Sequence, residues 1–268
     1  MSIFLNKKVL IYGLGRSGLS TLQFLKNKCD VFLYDDFKRN LTKSTTQRFI
    51  IKNKFDYIII SPGIDINKCK LSWFLKKNLD KIYTDLDVFY SFYKNDCISI
   101  TGTNGKSTTC QLLFEILSKH NYDVKLVGNI GRPILSVKNV KSKTIFVVEV
   151  SSYQLEYSKI FKSKYAAILN ISPDHLERHK TINNYVRTKF KILNNNLKNS
   201  LGFINKKDIL TVKEYKKRKL KKKILKIDTR SLGQIQKKID NEYFVDEANK
   251  ENLSFIIAIS DKLKLKKK

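Results

Sequence analysis

Four cysteines are all that this 268-residue chain carries, and Cys29, Cys69, Cys97 and Cys110 form no C-x-x-C pair. Neither a zinc site nor a disulfide framework is therefore indicated. Long hydrophobic runs are also missing: no stretch approaches the roughly 18 apolar residues of a membrane helix. The opening Met1-Ser-Ile-Phe-Leu-Asn-Lys-Lys lacks a signal-peptide pattern. These absences lead to the expectation of a cytoplasmic protein with reduced thiols and no membrane span. No internal repeat and no Pro/Gly/Ser-rich linker is visible. Acidic residues are scarce, 24 against 53 Lys and Arg, which leaves a formal charge of +29. Such a balance invites a nucleic-acid reading. The densest run, Lys216-Lys-Arg-Lys-Leu-Lys-Lys-Lys223, falls late, and the tail ends Lys264-Leu-Lys-Lys-Lys268. Elsewhere lysine is spread among Asn, Ile and Tyr, as in a compositional bias. No specific nucleic-acid partner is expected, and non-specific binding at low salt would follow from charge alone. The lysine-rich stretch 206–226 reads as poorly ordered.

What is present suggests two domains of α/β class, since the length exceeds the usual single-domain size of about 100–150 residues. With 42% hydrophobic residues, material for packed cores is ample. The most specific feature is a β-like stretch, Cys97-Ile-Ser-Ile100, running into Thr101-Gly-Thr-Asn-Gly-Lys-Ser-Thr108. A helical pattern with Leu112, Leu113, Ile116 and Leu117 on one face follows. Strand, glycine-bearing loop with Lys-Ser, then helix is an arrangement that holds nucleotide phosphates. Gly102, Thr103, Asn104, Gly105, Lys106, Ser107 and Thr108 are the candidate phosphate residues. Lys106 can reach the β/γ oxygens and the Ser107 hydroxyl can ligate Mg²⁺. The loop is shorter than the general pattern, with Ile100 where a first glycine would stand.

An earlier unit opens with Val9-Leu-Ile-Tyr12, the turn Gly13-Leu14-Gly15-Arg16-Ser17-Gly18, and a helical stretch carrying Leu19, Leu22 and Leu25. A second strand, Val31–Tyr34, ends in Asp35-Asp36. This is the strand–GxGxxG–helix–strand–acid order of a Rossmann unit; a tight βα turn without ligand is the alternative. A third strand at 56–60 stops at Ser61-Pro62-Gly63, a turn signal. Further strands are expected at 124–127, 145–150 and 166–170, whose continuous apolar runs suit a parallel sheet buried on both faces. Past Ser200 the pattern weakens to a short strand near 202–204 and a helical stretch near 249–259. A Rossmann-like domain over 1–93 and a phosphate-loop ATPase-type parallel-sheet domain over 94–268 are the expected organisation, the boundary resting on the restart alone.

Together these residues resemble the Mur ligase family, and within it the members that add D-glutamate. The resemblance covers nearly the whole chain. It rests on Gly13–Gly18, Ser61-Pro-Gly63, Thr101–Thr108, Gly128-Asn-Ile-Gly131, Val148-Glu-Val-Ser-Ser-Tyr-Gln-Leu155, Asn170-Ile-Ser-Pro-Asp-His-Leu-Glu-Arg178, Tyr185 and Lys189. It implies an ATP-dependent amide ligase of peptidoglycan synthesis. Such an enzyme joins D-glutamate to UDP-N-acetylmuramoyl-L-alanine through an acyl phosphate, with ATP and Mg²⁺. By the resemblance, the Gly13–Gly18 turn would face the diphosphate and Asp35 or Asp36 the uracil. Ser61 and Gly63 lie in the matching loop, and Asn129, Ser151 and Gln154 would line the path of the muramoyl-alanine arm. Lys106, His175 and Lys189 would be catalytic. Ser107 would hold one Mg²⁺ with the phosphates; Glu149, His175 and a carbamylated Lys189 would serve a second.

Read without the family, Glu149 could be a capping or salt-bridge partner, His175 a loop residue and Lys189 a solvated surface lysine. His120 and His179 have no matching role and are left structural. Tyr153 stands where the family often has another aromatic, which keeps the ring and adds a hydroxyl. The family pattern continues into a third domain that closes over ATP and contacts D-glutamate, whereas the chain stops at Lys268. This leads to the expectation of little ligase activity from this chain alone. A separately encoded third domain, a frameshifted gene or a fragment would each explain the stop. A non-catalytic nucleotide-binding remnant and a basic nucleic-acid-binding ATPase are the alternatives.

Overall fold

A computed structural model describes residues 2–37, 45–194, 197–220, 223–229 and 246–265. It comprises two compact units. The first holds Met1–Lys94 with Arg132–Asn139 and Glu156–Phe161; the second holds Asn95–Gly131, Val140–Leu155 and Lys162–Lys268.

In the first unit, β1 (Lys8–Tyr12), β2 (Asp30–Tyr34), β3 (Tyr57–Ile60) and β4 (Ile82–Tyr83) form a parallel sheet ordered β2-β1-β3-β4. Helices α1 (Arg16–Leu25), α2 (Gln47–Lys52), α3 (Ser72–Lys77) and α4 (Asp85–Phe92) connect or follow the strands. Leu10, Tyr12, Ile58 and Ile60 pack with Phe55, Phe74 and Leu75 in one core. Because β2 and β3 flank β1 on opposite sides, the chain reverses direction across the sheet at the end of β1. Open α/β sheets place their ligand crevice at such a point.

The second unit repeats the logic with six parallel strands ordered β10-β9-β8-β5-β7-β6. They are β5 (Cys97–Thr101), β6 (Val124–Gly128), β7 (Ile145–Glu149), β8 (Tyr165–Ile168), β9 (Leu201–Asn205) and β10 (Lys223–Ile227). Among the described residues the helices are α5 (Lys106–Lys119), α6 (Ser152–Tyr157), α7 (Leu176–His179), α8 (Ile182–Phe190), α9 (Ile209–Lys217) and α10 (Glu247–Lys262). Ile98, Ile100, Val147, Ala167 and Phe203 meet Leu113 and Leu117 of α5 and Phe255, Ile256 and Ile259 of α10 in one core. The switch lies at β5, between β7 and β8.

Both sheets are parallel throughout, as the buried apolar runs imply, and strand ends differ from expectation by one or two residues. β8 stops at Ile168 rather than near 170, where its partner β5 also ends at Thr101. The stretch 206–226 needs correction: it is folded as α9 and β10. Asp208 caps α9 by accepting from the Thr211 amide at 2.7 Å, and β10 pairs along β9. Leu225 and Ile227 pack against the core, but interleaved lysines hide that apolar periodicity. Lys221, Lys222 and Lys266–Lys268 of the basic runs lie outside the described residues. Among the described residues no helix is long and apolar enough to cross a membrane.

Candidate active site

The loop between β5 and α5 enters the helix without a side-chain cap. Gly105 precedes α5 with φ +79° and offers no side-chain cap, so the first amides of α5 have no side-chain acceptor there. A Cβ at Gly105 would collide with the amide of Asn252 on α10. A second segment, following β8, braces the loop. The Thr103 amide donates to Asn170 O (3.0 Å) and the Asn104 amide to Asn170 Oδ1 (2.9 Å). The Thr103 hydroxyl accepts from the Ser172 amide at 3.0 Å and lies 3.2 Å from the Tyr185 hydroxyl. Lys106 Nζ donates to Thr103 O at 2.7 Å. Burial pushes its pKa down, while Glu149 and Asp174 push back.

Glu149 ends β7 at 1% exposure. Parallel pairing sets it beside Ile100, hence next to the loop. Its carboxylate accepts from Ser107 Oγ and from Asn129 Nδ2, both at 2.8 Å. Gly128 (φ +112°) makes the approach possible, since a Cβ there would strike Glu149 O, to which the Asn129 amide donates at 3.0 Å. Adjacent hydroxyl and carboxylate oxygens suit magnesium, which takes one or two protein oxygens and completes its shell with phosphate and water. Among the described residues no three His, Cys, Asp or Glu side chains converge as a metal set. The donors therefore fit an ion shared with phosphate rather than an all-protein cage.

His175 adopts a left-handed backbone (φ 53°) just before α7. Its ring nitrogens face Asp174 at 3.4 Å and Glu177 at 3.8 Å. Tyr153 packs against it with ring centroids 4.9 Å apart, and the Tyr153 hydroxyl donates to Glu177 at 3.1 Å. The hydroxyl that distinguishes Tyr153 thus ties α6 to α7. His179, left structural on sequence grounds, joins this cluster. It is buried, stacked on Tyr153 at 5.8 Å, and its Nε2 lies 3.0 Å from Ser152 Oγ. Burial pushes its pKa down to about 4, so the ring is neutral. His175 precedes α7 and His179 ends it, and both rings pack on Tyr153. His120 by contrast bonds Ile116 O within α5. Asn170 gave no residue-type signal of its loop-bracing role.

Lys189, on α8, is 2% exposed, and its Nζ donates to Gly102 O at 2.7 Å. Burial, then repulsion from Lys106, pushes its pKa down to about 7. An amine so placed is substantially uncharged near neutrality and nucleophilic. The unfolded chain binds this proton up to the ordinary lysine value while the folded chain loses it near 7. Folding stability should therefore rise with pH between those limits, and the penalty is complete below about 7. Lys189→Met should lack this rise. Urea denaturation of both proteins at about pH 6 and pH 9, with chelator and without carbonate, should show a stability difference that changes by a few kcal/mol. Equal pH dependence in the two would contradict a lowered lysine.

Ser151 and Gln154 sit together at the start of α6, where Gln154 Oε1 accepts from the Ser151 amide at 3.1 Å. In the first unit, Gly13 (φ +92°) donates to Tyr34 O and accepts from Ser61 Oγ at 2.6 Å. A Cβ at Gly18 would collide with Gly13 O. Gly15 and Arg16 are exposed and Ser17 half-buried, at the start of α1, which has no side-chain cap. Asp35 accepts from the amides of Leu14 (2.6 Å) and Phe37 (2.9 Å). Asp36 accepts from the Tyr12 hydroxyl at 2.7 Å and the Lys70 amide at 3.2 Å. Gly63 is exposed with open space around it.

Residues 100–265 match the Mur ligase middle domain. The UDP-N-acetylmuramoylalanine--D-glutamate ligase of Rickettsia bellii is 37% identical over 216 residues, 76% of this chain and 47% of the relative. The enzyme of the same name from Caldicellulosiruptor bescii is 40% identical over 208 residues, 70% of this chain and 45% of the relative. That from Elusimicrobium minutum is 35% identical over 253 residues, 88% and 55%. The chain spans about half the length of these curated relatives. Among solved structures, UDP-N-acetylmuramate:L-alanyl-gamma-D-glutamyl-meso-diaminopimelate ligase from Neisseria meningitides matches with TM-score 0.64 and 12% identity. That match covers 97% of this chain and 94% of the other. A MurF ligase from Thermotoga maritima in complex with ADP matches at TM-score 0.52 and 14% identity, covering 99% and 62%. At such identities the structures show a shared fold. The domain match, extending over more than half of the chain, shows that it belongs to the Mur ligase family.

Proposed function

We propose that this chain carries the uridine-substrate and ATP units, 1–93 and 94–268, of a ligase that joins D-glutamate to UDP-N-acetylmuramoyl-L-alanine. The observation that carries the reading is Glu149, a buried carboxylate bonded to Ser107 at the mouth of a phosphate loop. The alanine carboxylate would attack the γ-phosphorus of ATP, forming a carboxyl O–P bond as the β–γ bridge breaks and ADP leaves. The D-glutamate amine would then attack the acyl carbon, lose a proton and expel phosphate. Two anions meet in the first step, so cations must stand between them. Mg²⁺ held by Ser107 and Glu149 would supply that charge; by the family resemblance alone, Glu149, His175 and a carbamylated Lys189 would serve a second ion. Gly102–Thr108 would surround the phosphates, with the amides at the start of α5 facing them while those of Thr103 and Asn104 stay on Asn170, and Lys106 would exchange its Thr103 bond for a phosphate oxygen. In the first unit, the Gly13–Gly18 turn would take the diphosphate.

Calorimetric titration at moderate salt tests this. UDP-N-acetylmuramoyl-L-alanine should bind saturably, ATP·Mg²⁺ should bind the native chain, and Lys106→Ala should lose ATP while keeping the uridine substrate. A folded sample that binds neither ligand would overturn the proposal.

A further inference from the structure

Phe37 is the most exposed large apolar side chain given for the described residues, at 89%, against 81% for Ile209 and 60% for Trp73, the next aromatic. An aromatic ring left in water forgoes on the order of 1.5–3 kcal/mol of burial. Its position is nevertheless fixed. The Phe37 amide donates to Asp35 Oδ1 at 2.9 Å, and the other oxygen of that carboxylate takes the Leu14 amide at 2.6 Å. One carboxylate thus ties the backbone of Phe37 to the glycine turn after β1. The Lys70 ammonium lies 5.8 Å from the ring centroid and donates to Asp36 O at 2.8 Å. A cation at that range favours a defined ring orientation. The fold does not use the ring as core, yet main-chain and ionic contacts hold it beside the turn proposed to receive a nucleotide diphosphate.

We infer that Phe37 is the stacking platform for the base of that nucleotide, with Lys70 setting the ring's orientation. The inference rests on the proposed uridine-nucleotide reading of the first unit. A base laid on the ring would cover apolar surface that the protein leaves open. Base–aromatic stacking is worth about 1–3 kcal/mol, and with the Lys70 charge over one face of the ring the base would take the other. Sequence alone gave no hint of this, because a phenylalanine after a strand-ending acid pair reads as ordinary core.

The test titrates UDP and inorganic pyrophosphate into the wild-type chain, Phe37→Ala and Phe37→Trp. Phe37→Ala should melt with the wild type, since the ring is exposed. It should bind UDP about ten-fold more weakly, and Phe37→Trp should bind at least as well as wild type. Pyrophosphate affinity should be the same in all three. UDP affinity of Phe37→Ala within about two-fold of wild type would overturn the inference and leave the nucleotide reading standing. Parallel losses for UDP and pyrophosphate would overturn it as well, by showing that the residue acts through the turn. Absence of UDP binding by the wild type is a different result: it removes the nucleotide reading itself and the inference with it.

Discussion

Alanine at Gly105 is expected to weaken the proposed ATP·Mg²⁺ binding by about 100-fold or more, while the uridine-substrate binding proposed for the first unit is unchanged. Two effects combine. An L-residue held at φ +79° costs roughly 1–2 kcal/mol, which alone is about ten-fold. The new methyl would also occupy the place of the Asn252 amide, and α10 cannot retreat freely because Phe255, Ile256 and Ile259 anchor it in the core. Either the buried Asn252 amide turns away or the loop shifts, and a shifted loop carries with it the amides proposed to face phosphate. Adding Asn252→Ala separates the terms: the double variant should recover the steric part and retain a deficit of about ten-fold. Calorimetry with ATP·Mg²⁺ measures both. Wild-type affinity in Gly105→Ala would show that this loop's geometry does not hold the nucleotide.

The strand, glycine loop and helix at 97–119 were legible because the pattern is local: glycines, lysine and serine fall within eight residues, between an apolar strand and an amphipathic helix. The acid opposite the loop was legible only in part. Glu149 ends an apolar run, but its meeting with Ser107 depends on β7 lying beside β5, and strand order is a non-local property. His179 was passed over because its neighbours, Ser152 and Tyr153, come from a different helix. Lys189 has the composition of a surface residue, and only the packing of α8 against the loop makes its amine buried and weakly basic. The helix and strand in 209–227 were lost to lysine enrichment, since exposed lysines outnumber the few apolar positions that mark the buried face. Phe37 shows the reverse case, an apolar residue whose exposure no periodicity announces.

Asp87→Ala is expected to destabilise the first unit by about 3–5 kcal/mol, well beyond the loss of a helix cap. Asp87 is fully buried on α4. One carboxylate oxygen takes the Thr84 amide at 3.0 Å and the Thr84 hydroxyl at 3.2 Å, closing a capping box. The other accepts from Ser158 Oγ (2.9 Å) and from the consecutive amides of Lys159, Ile160 and Phe161 (2.9, 2.8 and 3.1 Å). A cap alone is worth about 0.5–2 kcal/mol. Three orphaned amides add about 1 kcal/mol or more each, reduced where water can enter beside exposed Lys159. Asp87→Asn should fall between, because an amide can offer its oxygen to one group of donors only and turns its own N–H toward the other. Urea denaturation of Asp87→Ala, Asp87→Asn and Thr84→Ala ranks the terms, and hydrogen exchange at 159–161 locates them. If Asp87→Ala costs no more than Thr84→Ala, the carboxylate is only a helix cap. A larger loss with rapid exchange at 159–161 makes it the post that holds a distant stretch of chain in this unit.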